Sequence, residues 1–198
     1  LCDRRQRQMC IRDRFKKSFP ADAIDELTVT NRYGNIDIKQ EGNEFSITTS
    51  VWVEAKNKAK VDEMLEYISI TAKEQGGVLN VETLFQKDMS LRQMFAGVTV
   101  SVDYHIKVPK GKKVRLVCTE GGASVADFVG DMNVEIVSGN FKANSVTGGE
   151  FSVKQNKGEF EVEKLGNMTA EFKSCKVKIG EGKEMKLDCT STTLQLME

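Results

Sequence analysis

The chain has 198 residues, 39% of them hydrophobic and 29% charged, with 29 basic residues balancing 29 acidic ones. That length supports one domain or two small ones, with a real core, and no basic stripe offers itself to a nucleic-acid backbone. No stretch reaches the roughly 18 consecutive apolar residues of a membrane-crossing helix.

The charge balance hides two unlike parts. Five of the eight arginines lie in residues 1–14, and the rest of the chain holds 24 basic against 27 acidic residues. Residues 4–14 read RRQRQMCIRDR, a basic patch with no aromatic interleaving and no amphipathic helix behind it. They match throughout the one-frame translation of a transposon-end adapter used to tag DNA for sequencing. Residues 1–14 are therefore set aside as an artefactual, disordered leader that should pack on nothing. Cys2 and Cys10 leave the cysteine count with it. The same reading makes the sequence a metagenomic fragment whose signal peptide is missing.

From Phe15 the pattern is that of strands. ELTVTNRYGNIDI, residues 26–38, alternates apolar and polar residues on either side of a glycine. EFSITTSVWVE follows, with Phe45, Ile47, Thr49, Val51 and Val53 on one face. Ala59, Val61, Met64, Leu65 and Ile68 recur at helical spacing and predict one α-helix over 55–68. Strands return at YISITA and GVLNVETLF, a loop is expected over 86–97, and VTVSVDYHIKVP forms a long strand ended by Pro109.

Beyond residue 110 the chain repeats. Gly130, Gly148 and Gly166 are spaced by 18 residues. A second series, Gly121, Gly139, Gly158, Cys175 and Thr192, is spaced by 18, 19, 17 and 17. Four apolar columns accompany it. The first is Leu116, Val134, Phe151, Ala170 and Leu187; the second is Cys118, Ile136, Val153, Phe172 and Cys189. Ala123, Phe141, Phe160, Val177 and Leu194 make the third, and Val125, Ala143, Val162, Ile179 and Leu196 the fourth. Val29, Gly34, Ile36 and Ile38 fit the same template. A fixed period with aligned apolar columns predicts stacked coils, with glycines at left-handed corners. The fold expected is all-β: a parallel single-stranded β-helix or solenoid of about 18-residue coils, with one helix near the start. An antiparallel β-sandwich is the alternative. The polar columns agree with stacking, because Glu159 would face Lys176, and Glu161 would sit between Lys142 and Lys178.

The segments FKKSFPADAIDELTVTNRYGNIDI and VDYHIKVPKGKKVRLV, with the repeated units after them, resemble the putative-adhesin family of bacterial β-strand-repeat proteins. The most specific elements are the NRYG turn (Asn31 to Gly34) and the Y-x-I-x-VP strand end (Tyr104 to Pro109). The resemblance implies a right-handed parallel β-helix exported to the cell envelope, in the periplasm or on the outer surface. It brings no catalytic motif. EGGAS stands where a second YG-type turn would be expected, and the last apolar column ends without a cap, so the C-terminus is read as truncated too.

Candidate chemistry is sparse. His105, the single histidine, shares a polar face with Asp103 and Lys107 and has no partner at metal-ligand or nucleophile spacing. Cys118 and Cys189 fall in one inward column four coils apart, too far for a disulfide, and Cys175 falls at a turn. Trp52 is read as packing under the helix or under the loop carrying Met89, Leu91, Met94 and Phe95, with stacking on a sugar ring as the alternative. The carboxylate pairs Asp62/Glu63 and Glu159/Glu161 lie on charged faces rather than across a cleft. No catalytic, cofactor-binding or metal residue is assigned. The expected organisation is a leader (1–14), an N-terminal β region (15–110) and repeats (111–198). The expected function is a non-enzymatic, exported adhesin-like interaction module for a protein or glycan, not nucleic acid, with its membrane anchoring open. The alternatives are a carbohydrate-active β-helix enzyme and an envelope sensor or regulatory partner.

Overall fold

The computed structural model describes residues 8–86 and 97–196. The loop expected over 86–97, with its four apolar residues, falls almost wholly outside the described residues, as do residues 1–7. Twelve strands and one helix follow in order: β1 (Gln8–Pro20), β2 (Glu26–Gln40), β3 (Glu44–Ala55), α1 (Lys58–Tyr67), β4 (Ile68–Gln75), β5 (Val78–Phe85) and β6 (Val98–Val108). The remainder are β7 (Lys113–Val129), β8 (Met132–Ser138), β9 (Phe141–Gln155), β10 (Gly158–Lys173), β11 (Cys175–Thr190) and β12 (Thr193–Leu196). All the strands belong to one sheet system, and from β7 to β12 every pairing is parallel.

The long strands bend, and the burial pattern shows where. In β7 the inward residues are Val114, Leu116 and Cys118, then Ala123 and Val125; the phase of alternation breaks at Gly121. β2 breaks the same way, with Leu27, Val29 and Asn31 before Gly34, and Ile36 and Ile38 after it. Each of these two strands thus changes face around a glycine, where side-chain parity resets. β2 pairs with β7 through Leu27–Val114, Gly34–Gly121 and Ile38–Val125, so the stacking runs through β2 as well. Its first half is flanked on the other side by β5, and its second half by β6. β3 then adds antiparallel to β6, and β1 antiparallel to β3.

Local signals explain the remaining elements. Gly76 and Gly77, both at positive φ, close the β4–β5 hairpin. Asn57 caps α1 by accepting from the Lys60 amide at 2.9 Å, and Val61, Met64 and Leu65 form its buried stripe. The helix is shorter than expected and Ala59 is exposed, because α1 starts only after the Asn57 cap. Among the described residues no helix is long and apolar enough to cross a membrane.

The third and fourth apolar columns stack as the spacing predicts, from Ala123 to Leu194 and from Val125 to Leu196. The first two need correction at one coil. Val134 pairs with Val153, not Phe151, and Ile136 pairs with Gln155, not Val153; Phe151 stacks between Met132 and Met168. A slip of two residues keeps every side chain on its own face, so alternation alone cannot detect it. The preference for apolar partners then hid a buried glutamine. Gly166 is a second correction, since it lacks the positive φ of Gly130 and Gly148.

The leader also differs from expectation. Residues 8–13 pair with β3, from Gln8–Ala55 to Asp13–Ser50, ahead of a bulge before Phe15. The edge of β3 presents free N–H and C=O groups. An extended segment running on from Phe15–Pro20 satisfies them whatever its side chains.

Candidate functional site

The register carries one outward row of side chains across nine strands: Lys16, Thr48, His105, Asp37, Ser124, Lys142, Glu161, Lys178 and Gln195. At about 4.8 Å per strand the row is about 38 Å long. Its later part is a charge ladder. Lys142 Nζ lies 2.8 Å from Glu161, and Lys178 reaches the same carboxylate at 3.8 Å. Lys176 and Glu159 pair at 3.5 Å in the next row. The hydrogen bond from Lys142, and then its charge, hold the Glu161 carboxyl below the usual range; the same contact raises Lys142. Glu159 and Glu161 are therefore engaged with lysines, and Asp62 with Lys58 at 2.6 Å on the exposed face of α1.

Where the row crosses β6, β2, β7 and β9 the surface is concave, enclosing about 670 Å³. Its floor is backbone. Gly121 and Gly122 line it, and a Cβ on Gly122 would lie 2.7 Å from the Asn140 carbonyl. Its walls are planar polar groups held in place. Asp103 accepts from the Asn35 amide at 2.8 Å and from the Ser101 hydroxyl. Asp37 accepts from the Ser124 hydroxyl at 2.8 Å, and its other oxygen lies 3.5 Å from His105 Nδ1. Asn140 Oδ1 accepts from the Glu159 amide at 2.8 Å. His105 thus has a carboxylate partner that its own strand does not reveal, because Asp37 arrives from β2. Ser, Asp and His meet here in the wrong order for nucleophilic catalysis: Asp37 lies between Ser124 and His105, so the histidine does not take the serine proton. Among the described residues no three His, Cys, Asp or Glu side chains converge to hold a metal ion.

The other candidates are structural. Cys118 and Cys189 share a column with Ile136, Gln155 and Phe172 between them. Cys118 is buried, and burial pushes its thiol up to about 11. Cys189 is exposed rather than inward-packed, because β12 pairs only with Lys176–Ile179 and leaves the later half of β11 uncovered among the described residues. Cys175 is buried at the corner position of Gly158, its thiol donating to the Lys173 carbonyl at 3.2 Å. Trp52 is half-buried on the outward face, opposite Ser101.

Asn35, Asp37, Ser124 and Asn140 were not singled out by sequence. The signal was present: Asp37 and Ser124 precede Ile38 and Val125 just as Lys142 precedes Ala143. The charge column simply extends two coils further back.

These features define a class: a stacked β-strand protein with a buried apolar interior and a regular polar outer face. The chain belongs to the Toastrack DUF4097 family, matching it over residues 24–197. No curated protein matches the sequence. Among crystal structures, the chain is similar to a "putative cell adhesion protein" of Clostridium sporogenes, at 8% identity over 96% of this chain and 99% of that one, with a TM-score of 0.36. A "putative lipid binding protein" of Parabacteroides distasonis is 11% identical over 93% and 96%, with a TM-score of 0.38. A "putative adhesin" of Bacteroides fragilis is 9% identical over 96% and 97%, with a TM-score of 0.37.

Proposed function

We propose that this chain is a non-enzymatic interaction module of the bacterial cell envelope: an exported, single-stranded β-solenoid that binds a protein or glycan through its outer face. The observation that carries the reading is the in-register row from Lys16 to Gln195. An array of alternating charges and hydrogen-bonding groups fixed at strand spacing is rigid before any partner arrives, and preorganisation lowers the entropic cost of binding. Electrostatic complementarity along such a face sets partner choice more than raw affinity. The Ser124–Asp37–His105 order supports a binding role over hydrolysis.

The test is binding of the labelled 198-residue chain to intact bacterial cells, with charge reversal of Lys142 and Lys178 as the comparison. The expected result is saturable binding that falls with rising salt and drops in the reversed variant. Binding that is absent, or indifferent to the row, would overturn the reading.

A further inference from the structure

The concave stretch of the outer face has a more specific chemistry, and the inference rests on the interaction-module reading above. We propose that the groove formed by Asn35, Asp37, Asp103, His105, Ser124 and Asn140 is a saccharide subsite, taking a neutral sugar ring.

The opening is built in rather than left by a mobile side chain. Gly121 has φ +141°, and a Cβ there would collide with the Gly34 carbonyl; Gly122 is hemmed in by Asn140. Neither can carry a side chain that would fill the space. The polar groups around it are fixed by the protein and keep capacity for a ligand. Asp37 and Asp103 each take protein donors, yet a carboxylate has about four lone-pair sites. His105 is exposed, and among the described residues only its Nδ1 meets a protein group. Among the described residues, the Asn140 amide nitrogen meets no protein acceptor. A ligand here must both donate and accept hydrogen bonds at several points spaced by about 4.8 Å. Hydroxyls of a sugar ring do this, and adjacent hydroxyls match the two oxygens of a carboxylate.

Charge narrows the class further. Two carboxylates disfavour phosphate or any other anion. Among the described residues no three His, Cys, Asp or Glu side chains converge there, which disfavours a transition-metal ion. A lysine or arginine side chain would meet Lys142, which lines the same groove. A neutral polar ring meets none of these penalties.

The experiment titrates the 198-residue chain by calorimetry with cellohexaose, maltohexaose and N-acetylchitohexaose, with hexalysine as the cationic comparison. At least one oligosaccharide should bind at millimolar concentration or below. Asp37→Asn combined with His105→Ala should weaken that binding at least tenfold with an unchanged melting temperature. Lys186→Ala, exposed on β11 outside both the row and the groove, should leave it intact. Failure of all three sugars to bind, binding indifferent to the double variant, or preference for hexalysine would each overturn the assignment. Cell binding that persists without sugar binding overturns this subsite and leaves the broader reading standing. Sugar binding without cell binding does the reverse.

Discussion

Gly139 shows what stacking demands of single residues. It has φ +155°, and a Cβ built on it would fall within bonding distance of the Gly121 carbonyl; Gly121 stands in the same relation to Gly34, and Gly158 to Gly139. A glycine column therefore lines one corner because neighbouring coils touch there through backbone alone. Gly139→Ala should cost at least about 3 kcal/mol, from strain plus backbone displacement, read as a lowered denaturant midpoint. The NRYG turn has an equally local reason. Asn31 is buried, donating to the Val102 carbonyl at 2.8 Å and accepting from Thr83, whose hydroxyl also meets the Tyr104 hydroxyl at 2.5 Å. Tyr33 packs edge-on against Phe85. Burial pushes Tyr104 up to about 12. Its folded state thus holds the proton more tightly than the unfolded chain, so this contribution is complete below pH 10 and is lost as pH rises from about 10 to about 12. Alkaline unfolding should steepen across that window, and Tyr104→Phe should flatten it. Gln155 is the polar exception in an apolar column, donating to the Gly139 and Glu159 carbonyls at 2.9 and 3.2 Å. Gln155→Leu suits the column and removes the unpartnered Oε1, but takes one donor from both carbonyls, and should destabilise by about 0.5–1.5 kcal/mol in chemical denaturation.

At the scale of elements, the strands draw stability from what covers them, the helix from its cap and one stripe. The middle coils are filled by phenylalanines: Phe141 stacks on Phe160 at 5.2 Å, and Phe172 lies 4.9 Å from Phe160. Phe160→Ala should cost about 3–5 kcal/mol, far more than Asn57→Ala at the start of α1, for which about 1 kcal/mol is expected. Comparing the two melting curves tests whether the aromatic stack outweighs the helix. The exposed ion pairs add little individually, yet they set the acid limb. Glu161 and Asp131 have lowered folded pKa values, Glu161 chiefly through Lys142 and Asp131 chiefly through the Glu150 amide. Their contribution is present above the ordinary carboxylate range and is lost as pH falls from that range through their lowered folded values.

Across the whole molecule the decisive contacts are distant in sequence. β2 is joined to β5, β6 and β7, all of which follow α1. Such topology requires long loop closures before parallel pairing returns any stability, so refolding should take milliseconds to seconds or longer in stopped-flow experiments. The stack was legible in sequence because a coil of nearly constant length writes its inward residues at a nearly constant period. Two columns, the left-handed glycines at the shared corner and the Glu161 ladder could be read from that period directly. What the period could not show was a slip of two residues, which leaves every side chain on its own face; hence the misplacement of Phe151 and Val153. The candidate site was only half legible for a different reason. Asp37, Ser124 and Lys142 belong to the repeat, while His105 and Asp103 come from β6, a strand outside its period.

Sequence by itself determined the all-β class, the one helix among the described residues, the repeat spacing of the paired apolar residues and the alternation of charge on neighbouring strands, because each depends on residues at fixed separations along the chain. Tertiary structure decided that β6 lies beside β2, that His105 meets Asp37 and that a groove opens over Gly121 and Gly122. Those depend on which edge β6 joins and on how closely two corners approach, and neither quantity is written in local spacing.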